Sequence, residues 1–295
     1  MRAIDGTASG AAGGALTVVV AAMREEVAAL ASRLTGAHRL NVGGASVSAT
    51  FGRLGSAPVV VAVTGDGERN ARAGLAALLA SVPVGRVVAA GVAGALDPTL
   101  GPADLIFCDR VIEASADGGG SVHLADAALV GAAASVPGAR RGVAVTAGRI
   151  ADTVAEKSRL LALARARAGD GQSPLAAVVD LESAVFAAVA EHAGVPWLVW
   201  RAVSDTADEA LPPLLNQSRD EGGGVRRGRV VRALLGNPGA LRPLLALRDR
   251  MRAGADELAR AVSQTLAAAP ALAPGGPPAR TTSRLGSTSA AATEL

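Results

Sequence analysis

Two carboxylates in the stretch VVDLESAVFAAVAEHAGVPWLVWRAVSD, Glu182 and Asp205, stand where acid/base chemistry is done in α/β proteins. Gly194 and Pro196 end an amphipathic helix whose apolar positions Val185, Ala188 and Val189 recur at helical spacing, and Trp197 to Val203 follows as a buried-strand pattern. Asp205 then falls just past that strand, and open parallel sheets bind ligands beyond the carboxyl ends of their strands. A Ser-Asp pair after a strand is equally an ordinary turn or helix N-cap, and spacing alone leaves both readings open. Arg201 lies inside the strand, where a guanidinium is costly unless paired; Glu26, Asp180 and Glu182 are its natural partners.

Three further segments carry candidate groups. MREEVAALASRL puts Glu25 and Glu26 in the opening turn of a helix with the apolar stripe Val27, Leu30, Ala31 and Leu34; carboxylates there also simply suit the helix dipole. TGDGERNARAG, from Thr64 to Gly74, is a Gly-rich turn from strand to helix whose backbone N–H groups, Gly67 included, can approach ligand oxygens. It does not match a dinucleotide fingerprint, because Asn70 stands where the third glycine belongs. In AAGVAGALDPTLGPADLIFCD, Gly91 and Gly94 come directly after a strand and suit either a close ligand approach or a loop crossing near the sheet. A Ser-His-Asp type triad is excluded by the lack of a GxSxG elbow, and Cys108 has no basic partner that sequence identifies.

The elements that must position these groups alternate along the chain. Strand Thr17 to Ala22, helix Glu25 to Leu34, strands Ala45 to Gly52 and Pro58 to Val63, helix Asn70 to Ala80 and strand Arg86 to Ala90 come first. Strand Asp104 to Ile112, a Gly-rich loop at Gly118 to Gly120, strand Gly142 to Thr146 and a helix from Ala155 lead into the Val178 segment. This alternation predicts an α/β fold: one domain of three α/β/α layers, with a mixed, mostly parallel central sheet flanked by helices. Residues 1–15 are expected to form a flexible lead-in, 16–266 the folded domain with a helical extension over 209–266, and 267–295 an Ala/Pro then Ser/Thr tail expected to be disordered. Within the extension, Val225 to Leu235 and Leu241 to Leu266 read as helices on either side of Asn237-Pro238-Gly239.

Composition narrows the class. Half of the 295 residues are hydrophobic, yet no apolar run approaches the about 20 residues that span a bilayer, and no signal peptide is evident. A single cysteine fits a reducing cytoplasm, and three scattered histidines make a zinc site improbable; no metal and no cofactor are expected. The net charge is only +3, aromatics make up 2% of the chain and tyrosine is absent, so nucleic acid is not the expected partner. Between Arg219 and Arg260 ten arginines face five acids, which reads as a solvated face or as a peripheral contact with anionic lipid.

Four motifs in one order, AAMREEV, TGDGERNA, AGVAGALDPTLGPAD and VVDLESAVFAAVAEHAGVPWLVWRAVSDTAD, resemble the nucleoside phosphorylase superfamily, and within it the 5′-methylthioadenosine/S-adenosylhomocysteine nucleosidases. The resemblance covers roughly Leu16 to Asp208 and implies cleavage of a purine nucleoside's N-glycosidic bond. It assigns Asp205 to protonate the leaving base, Glu182 to hold ribose hydroxyls and Glu26 to orient or deprotonate the nucleophile. Arg201 braces these acids; Gly67, Gly91 and Ser204 line the site, Leu181 replaces a ribose-packing methionine, and Ile150, beside Ala151, replaces a base-stacking phenylalanine. Ala89 and Val92 stand where phosphorylases of the superfamily carry an Arg and a Ser that clasp phosphate, which favours water over phosphate as co-substrate. The stretch after Leu211 resembles hopanoid-associated phosphorylases, so a phosphorylase of a lipid-linked adenosine is one alternative and a non-catalytic nucleoside-binding module another. A homodimer is the assembly the resemblance implies. The chemistry asks for an Asp205 that starts protonated, raised from the usual ~3.9 by burial and nearby negative charge.

Overall fold

The structure is a computed structural model that describes residues 15–115, 120–168, 176–217 and 241–272. The order is β1 (Leu16–Ala21), α1 (Arg24–Ala31), β2 (Thr35–Leu40), β3 (Ser48–Leu54), β4 (Ala57–Val63), α2 (Glu68–Ser81), β5 (Val84–Ala95) and β6 (Leu105–Glu113). There follow β7 (Val122–Leu124), α3 (Ala127–Ala134), β8 (Ala139–Thr146), α4 (Val154–Ala168), β9 (Ala176–Asp180), α5 (Ser183–His192), β10 (Trp197–Asp205), α6 (Leu214–Gln217) and α7 (Leu241–Ala268).

Continuous apolar runs such as LTVVVA in β1 and WLVWRAVSD in β10 are buried at every position, as strands covered on both faces must be. β1 pairs in parallel with β4 and β5, β5 with β10, and β8 with both β6 and β9. Antiparallel β2 and β3 extend one edge. The mixed α/β sheet expected from sequence is therefore present, but it is not flat. β5 also pairs with β9 through Gly94 and Ala95, so β5, β10, β6, β8 and β9 close into a ring. Helices α2 and α5 cover one face through Leu75, Leu78 and Phe186; α1, α3 and α7 cover the other through Leu30, Leu129 and Val262.

Several sequence expectations need correction. The strand expected to stop at Ala90 continues to Ala95, and Gly91 and Gly94 are strand residues, not a loop after it. The reason is steric: a Cβ on Gly91 would meet Arg201 Nη1 at 2.5 Å and Glu26 Oε1 at 2.6 Å, and one on Gly94 would meet Asp205 Oδ2 at 2.9 Å. The glycines let a strand pass beneath functional side chains. β2 has no apolar alternation and is mostly exposed; it forms because β3 offers an open edge to pair with. α3 was unmarked in its alanine-rich sequence, although Asp126 caps it by accepting from the Ala128 and Leu129 N–H groups. The second terminal helix runs from Leu241 to Ala268 and its C-terminal half is core, with Leu258, Ala259, Ala261 and Val262 at most 1% exposed. The expected helix from Val225 to Leu235, most of the lead-in and residues 273–295 of the expected tail lie outside the described residues. No helix among the described residues is long and apolar enough to cross a membrane.

Candidate active site

At the carboxyl ends of β1, β5, β9 and β10 lies a cavity of about 270 Å³. Its floor carries Glu26, Asp66, Asp180, Glu182 and Asp205, and its walls are apolar, among them Val92, Ile150, Leu211 and Met251. A larger cavity, about 880 Å³, sits at the amino ends of the strands; Arg33 and Arg86 line it, and no Asp or Glu is among its described lining residues. Chemistry separates the two where volume does not.

Sequence placed ten residues at the site. Glu26, Ile150, Ala151, Leu181, Glu182, Ser204 and Asp205 line the cavity. Gly67, Gly91 and Arg201 do not line it; they act one layer behind, through hydrogen bonds and close packing.

Glu26 is the third residue of α1, and both its oxygens are held by backbone. Met23 N–H donates to Oε2 at 2.8 Å and Val92 N–H, from β5, donates to Oε1 at 3.0 Å. The helix start and the strand therefore fix one carboxylate between them. Burial pushes Glu26 above the usual carboxylate range against the pull of the Arg201 charge. Glu182 follows β9 and accepts from Gly67 N–H at 2.9 Å, which makes the Gly-rich turn a brace for the acid. Gly67 has φ of 90°, a conformation that favours glycine. Burial pushes Glu182 up to about 7 against that hydrogen bond, and the charges of Asp180 and Glu26 add to the rise.

Arg201 meets Asp180 directly: Nε donates to Oδ2 at 2.6 Å, and Nη2 donates to Ser183 Oγ at 2.7 Å. Thr146 Oγ1 donates to the other Asp180 oxygen at 2.8 Å. Of the three partners foreseen for Arg201, Asp180 makes the ion pair, while Glu26 and Glu182 feel its charge.

Asp205 departs from expectation. Its near neighbour is a cation, not an anion: Lys157 Nζ donates to Oδ2 at 2.6 Å, and both side chains are buried. Ser204 Oγ lies 2.6 Å from Oδ1. Lys157 is the chain's sole lysine and is not among the site residues that the sequence suggests. A signal was there, since it shares a helical stripe with Leu160, Ala164 and Ala168, the buried positions of α4. Asp66 and the apolar mouth formed by Leu211, Leu215, Leu247 and Met251 also went unmarked. Two of those four come from α7, which sequence treated as an extension and which in fact completes the site. Asn216 of α6 clamps the 150–152 loop, accepting from Ile150 N–H at 3.1 Å and donating to Ile150 O and Asp152 Oδ2 at 2.9 Å each.

Cys108 is buried and its thiol is pushed up by burial, so it is no nucleophile. Among the described residues no group of three or more His, Cys, Asp or Glu side chains is arranged to hold a metal ion. What remains is a set of fixed carboxylates, some more basic than usual, beneath an apolar mouth. That set can stabilise a developing cation, move protons and orient a polar nucleophile.

A family model described as "Phosphorylase superfamily" matches residues 17–235. The 5′-methylthioadenosine/S-adenosylhomocysteine nucleosidase of Geobacillus kaustophilus is 31% identical over 205 residues, covering 65% of this chain and 84% of that protein. Among solved structures, the corresponding nucleosidase of Colwellia psychrerythraea in complex with adenine superposes with a TM-score of 0.66 at 21% identity, over 88% of this chain and 98% of the other. The futalosine hydrolase of Helicobacter pylori superposes with a TM-score of 0.65 at 18% identity, over 86% and 97%. At these identities the two structures speak for the fold alone.

Proposed function

Because the chain belongs to the phosphorylase superfamily, we propose that it cleaves the N-glycosidic bond of a purine nucleoside by hydrolysis, its preferred substrate a 5′-substituted adenosine such as methylthioadenosine or S-adenosylhomocysteine. The observation that carries this reading is the convergence of Glu26, Glu182 and Asp205 on one cavity floor at the carboxyl edge of the sheet. Rupture of a C–N glycosidic bond passes through an oxocarbenium-like sugar, which fixed carboxylates stabilise while an acid neutralises the leaving base. Asp205 gives its proton to the base nitrogen as the bond to C1′ breaks. Glu182 accepts hydrogen bonds from the ribose hydroxyls. Glu26, made more basic by burial, takes a proton from the water that attacks C1′.

Water is favoured over phosphate by charge. The described lining of the cavity holds five Asp and Glu side chains and no Arg or Lys, and the buried Arg201 behind it is already paired with Asp180. A phosphate dianion placed there meets mostly like charge. The same three acids, buried together, speak against a binding module without turnover, since burying them is costly unless they are used. A second reading, a bulky and lipid-like 5′ group, is favoured by Leu211, Leu215, Leu247 and Met251 at the mouth.

The single, buried Cys108 supports a cytoplasmic setting, and the homodimer implied by the resemblance is open to light scattering. A membrane contact through 219–260 has less support. Arg248, Arg250 and Arg260 pair with Asp249, Glu209 and Glu257, and residues 219–240 lie outside the described residues.

Chromatography of free base after incubation with methylthioadenosine, S-adenosylhomocysteine and adenosine, with and without phosphate, tests the reading. Adenine released without phosphate is expected, fastest from the 5′-thio substrates. Strict phosphate dependence overturns hydrolysis, and no base from any of the three overturns the 5′-thio substrates in favour of a lipid-linked adenosine or a binding module.

A further inference from the structure

We infer that Lys157 is a positioning residue for Asp205, which fixes one carboxylate oxygen so that the other alone exchanges a proton with the leaving base. The inference rests on Asp205 being the acid of the proposed reaction.

The Lys157 ammonium is 1% exposed and has three acceptors for its three N–H groups. These are Asp205 Oδ2 at 2.6 Å, Thr206 O at 2.6 Å and Glu209 O at 2.8 Å. Two of them belong to the turn that leaves β10 just after Asp205, so one side chain pins the acid and the backbone behind it. That turn is tied to α7 as well. Arg250 Nη1 and Nη2 donate to Glu209 Oε2 and Oε1 at 2.8 and 2.7 Å, and α7 carries Leu247 and Met251 into the cavity mouth. The charged groups that face the pair are Arg250 from α7 and Asp208 and Glu209 from the turn itself.

Oδ2 is taken by Lys157, and Oδ1 lies 2.6 Å from Ser204 Oγ, which is also 3.2 Å from Ala93 O. A hydroxyl has one proton to give. When Asp205 is ionised, Ser204 donates to Oδ1. When Oδ1 carries a proton, Ser204 accepts it and turns its own toward Ala93 O. Both forms are fully partnered without moving a heavy atom, and Lys157 remains an ammonium in both. In the chemical step the Oδ1–H bond breaks and an N–H bond forms on the base; the negative charge left on Asp205 is met at once by Lys157, which favours transfer.

The experiment compares native protein with Lys157→Met, Asp205→Asn and the double variant, by the kcat and KM of adenine release and by circular dichroism. Lys157→Met is expected to lower kcat on the order of 10²-fold with KM within about threefold, because the acid it holds is no longer fixed. In the Asp205→Asn background the same substitution is expected to cost less than about threefold, since its effect runs through the carboxylate. A loss that multiplies in both backgrounds marks a merely structural lysine and overturns the inference; so does a Lys157→Met enzyme within threefold of native. Should Lys157→Met not fold, Lys157→Gln, which keeps a neutral donor to the turn carbonyls, must show the same loss that vanishes in the Asp205→Asn background, or the inference fails. If native protein releases no adenine, the site reading falls and takes the inference with it; if native is active and only the variants disappoint, the site reading stands.

Discussion

The two sides of the cavity are each built on a buried cation and carboxylate 2.6 Å apart, Arg201 with Asp180 and Lys157 with Asp205. Around Arg201, however, Glu26 and Glu182 add two further acids, whereas Asp205 sits between Lys157 and the Ser204 hydroxyl, with Arg250, Asp208 and Glu209 farther out. The acid-rich side holds negative charge at the cost of desolvation, and that cost appears as Glu26 pushed up and Glu182 raised to about 7. It suits a place where positive charge develops. The other side fixes one acid oxygen on an ammonium and the second beside a hydroxyl, which suits a group that hands over a proton. Geometry that looks alike in distance thus differs in what it does to a proton.

The sharpest way to break this comparison is to disable the proton donor alone. Asp205→Asn removes the acid but keeps the shape, and kcat for adenine release is expected to fall about 10³- to 10⁴-fold while the melting temperature changes little. Equal turnover by this variant would remove Asp205 from the reaction. Next comes the brace. Arg201→Met leaves Asp180, Glu26 and Glu182 without their shared cation in a buried site, and a stability loss of about 3–5 kcal/mol is expected by denaturant titration. A loss below about 1 kcal/mol would mean that solvent reaches these acids and that the two sides do not differ as described.

A smaller effect sharpens the comparison through pH. The folded state holds the Glu182 proton more tightly than the unfolded chain, with an ordinary value of 4.5 shifted to about 7. Stability is therefore unpenalised below about 4.5, falls as pH rises through that window, and is fully reduced above about 7. Glu182→Gln is expected to stabilise the protein at pH 8, by on the order of 2–3 kcal/mol at most, and to make no difference near pH 4. Activity moves oppositely, because the amide no longer serves the sugar as an anion. Thermal melts of both proteins across this range check the sign; a variant that is more stabilised at low pH than at high pH contradicts it.

The same contrast explains what sequence made legible. Arg201 stands out because a guanidinium inside an apolar strand demands a partner, and Glu182 and Asp205 stand out because they follow strand patterns. Lys157 lies on a helix with Glu156, Arg159, Arg165 and Arg167, where a charge looks ordinary until tertiary packing turns that face inward. At Gly91 the spacing suggests a close ligand approach or a loop crossing, whereas the groups that approach it are the side chains of Glu26 and Arg201 from distant elements, which periodicity cannot encode. The layers and most strands follow from apolar runs; the ring closure through Gly94 and Val179 depends on sheet curvature, a non-local property.

The smallest expected effect concerns the mouth, where neither side's charges reach. Leu247 and Met251 lie one helical turn apart on α7 and face the cavity with Leu211 and Leu215. If these apolar groups cover the 5′ substituent, Met251→Ala removes packing worth about 1–2 kcal/mol from a thioether substrate and almost nothing from adenosine, whose 5′-hydroxyl gains little from an apolar wall. KM for methylthioadenosine is then expected to rise roughly 5- to 20-fold, with KM for adenosine within about twofold and kcat for both unchanged, because the floor is untouched. Parallel loss on both substrates would place the mouth outside the 5′ pocket and leave α7 a purely structural helix. A selective loss instead divides the site by task, with chemistry on the charged strand ends and choice of substrate on the apolar helix that the chain adds after them.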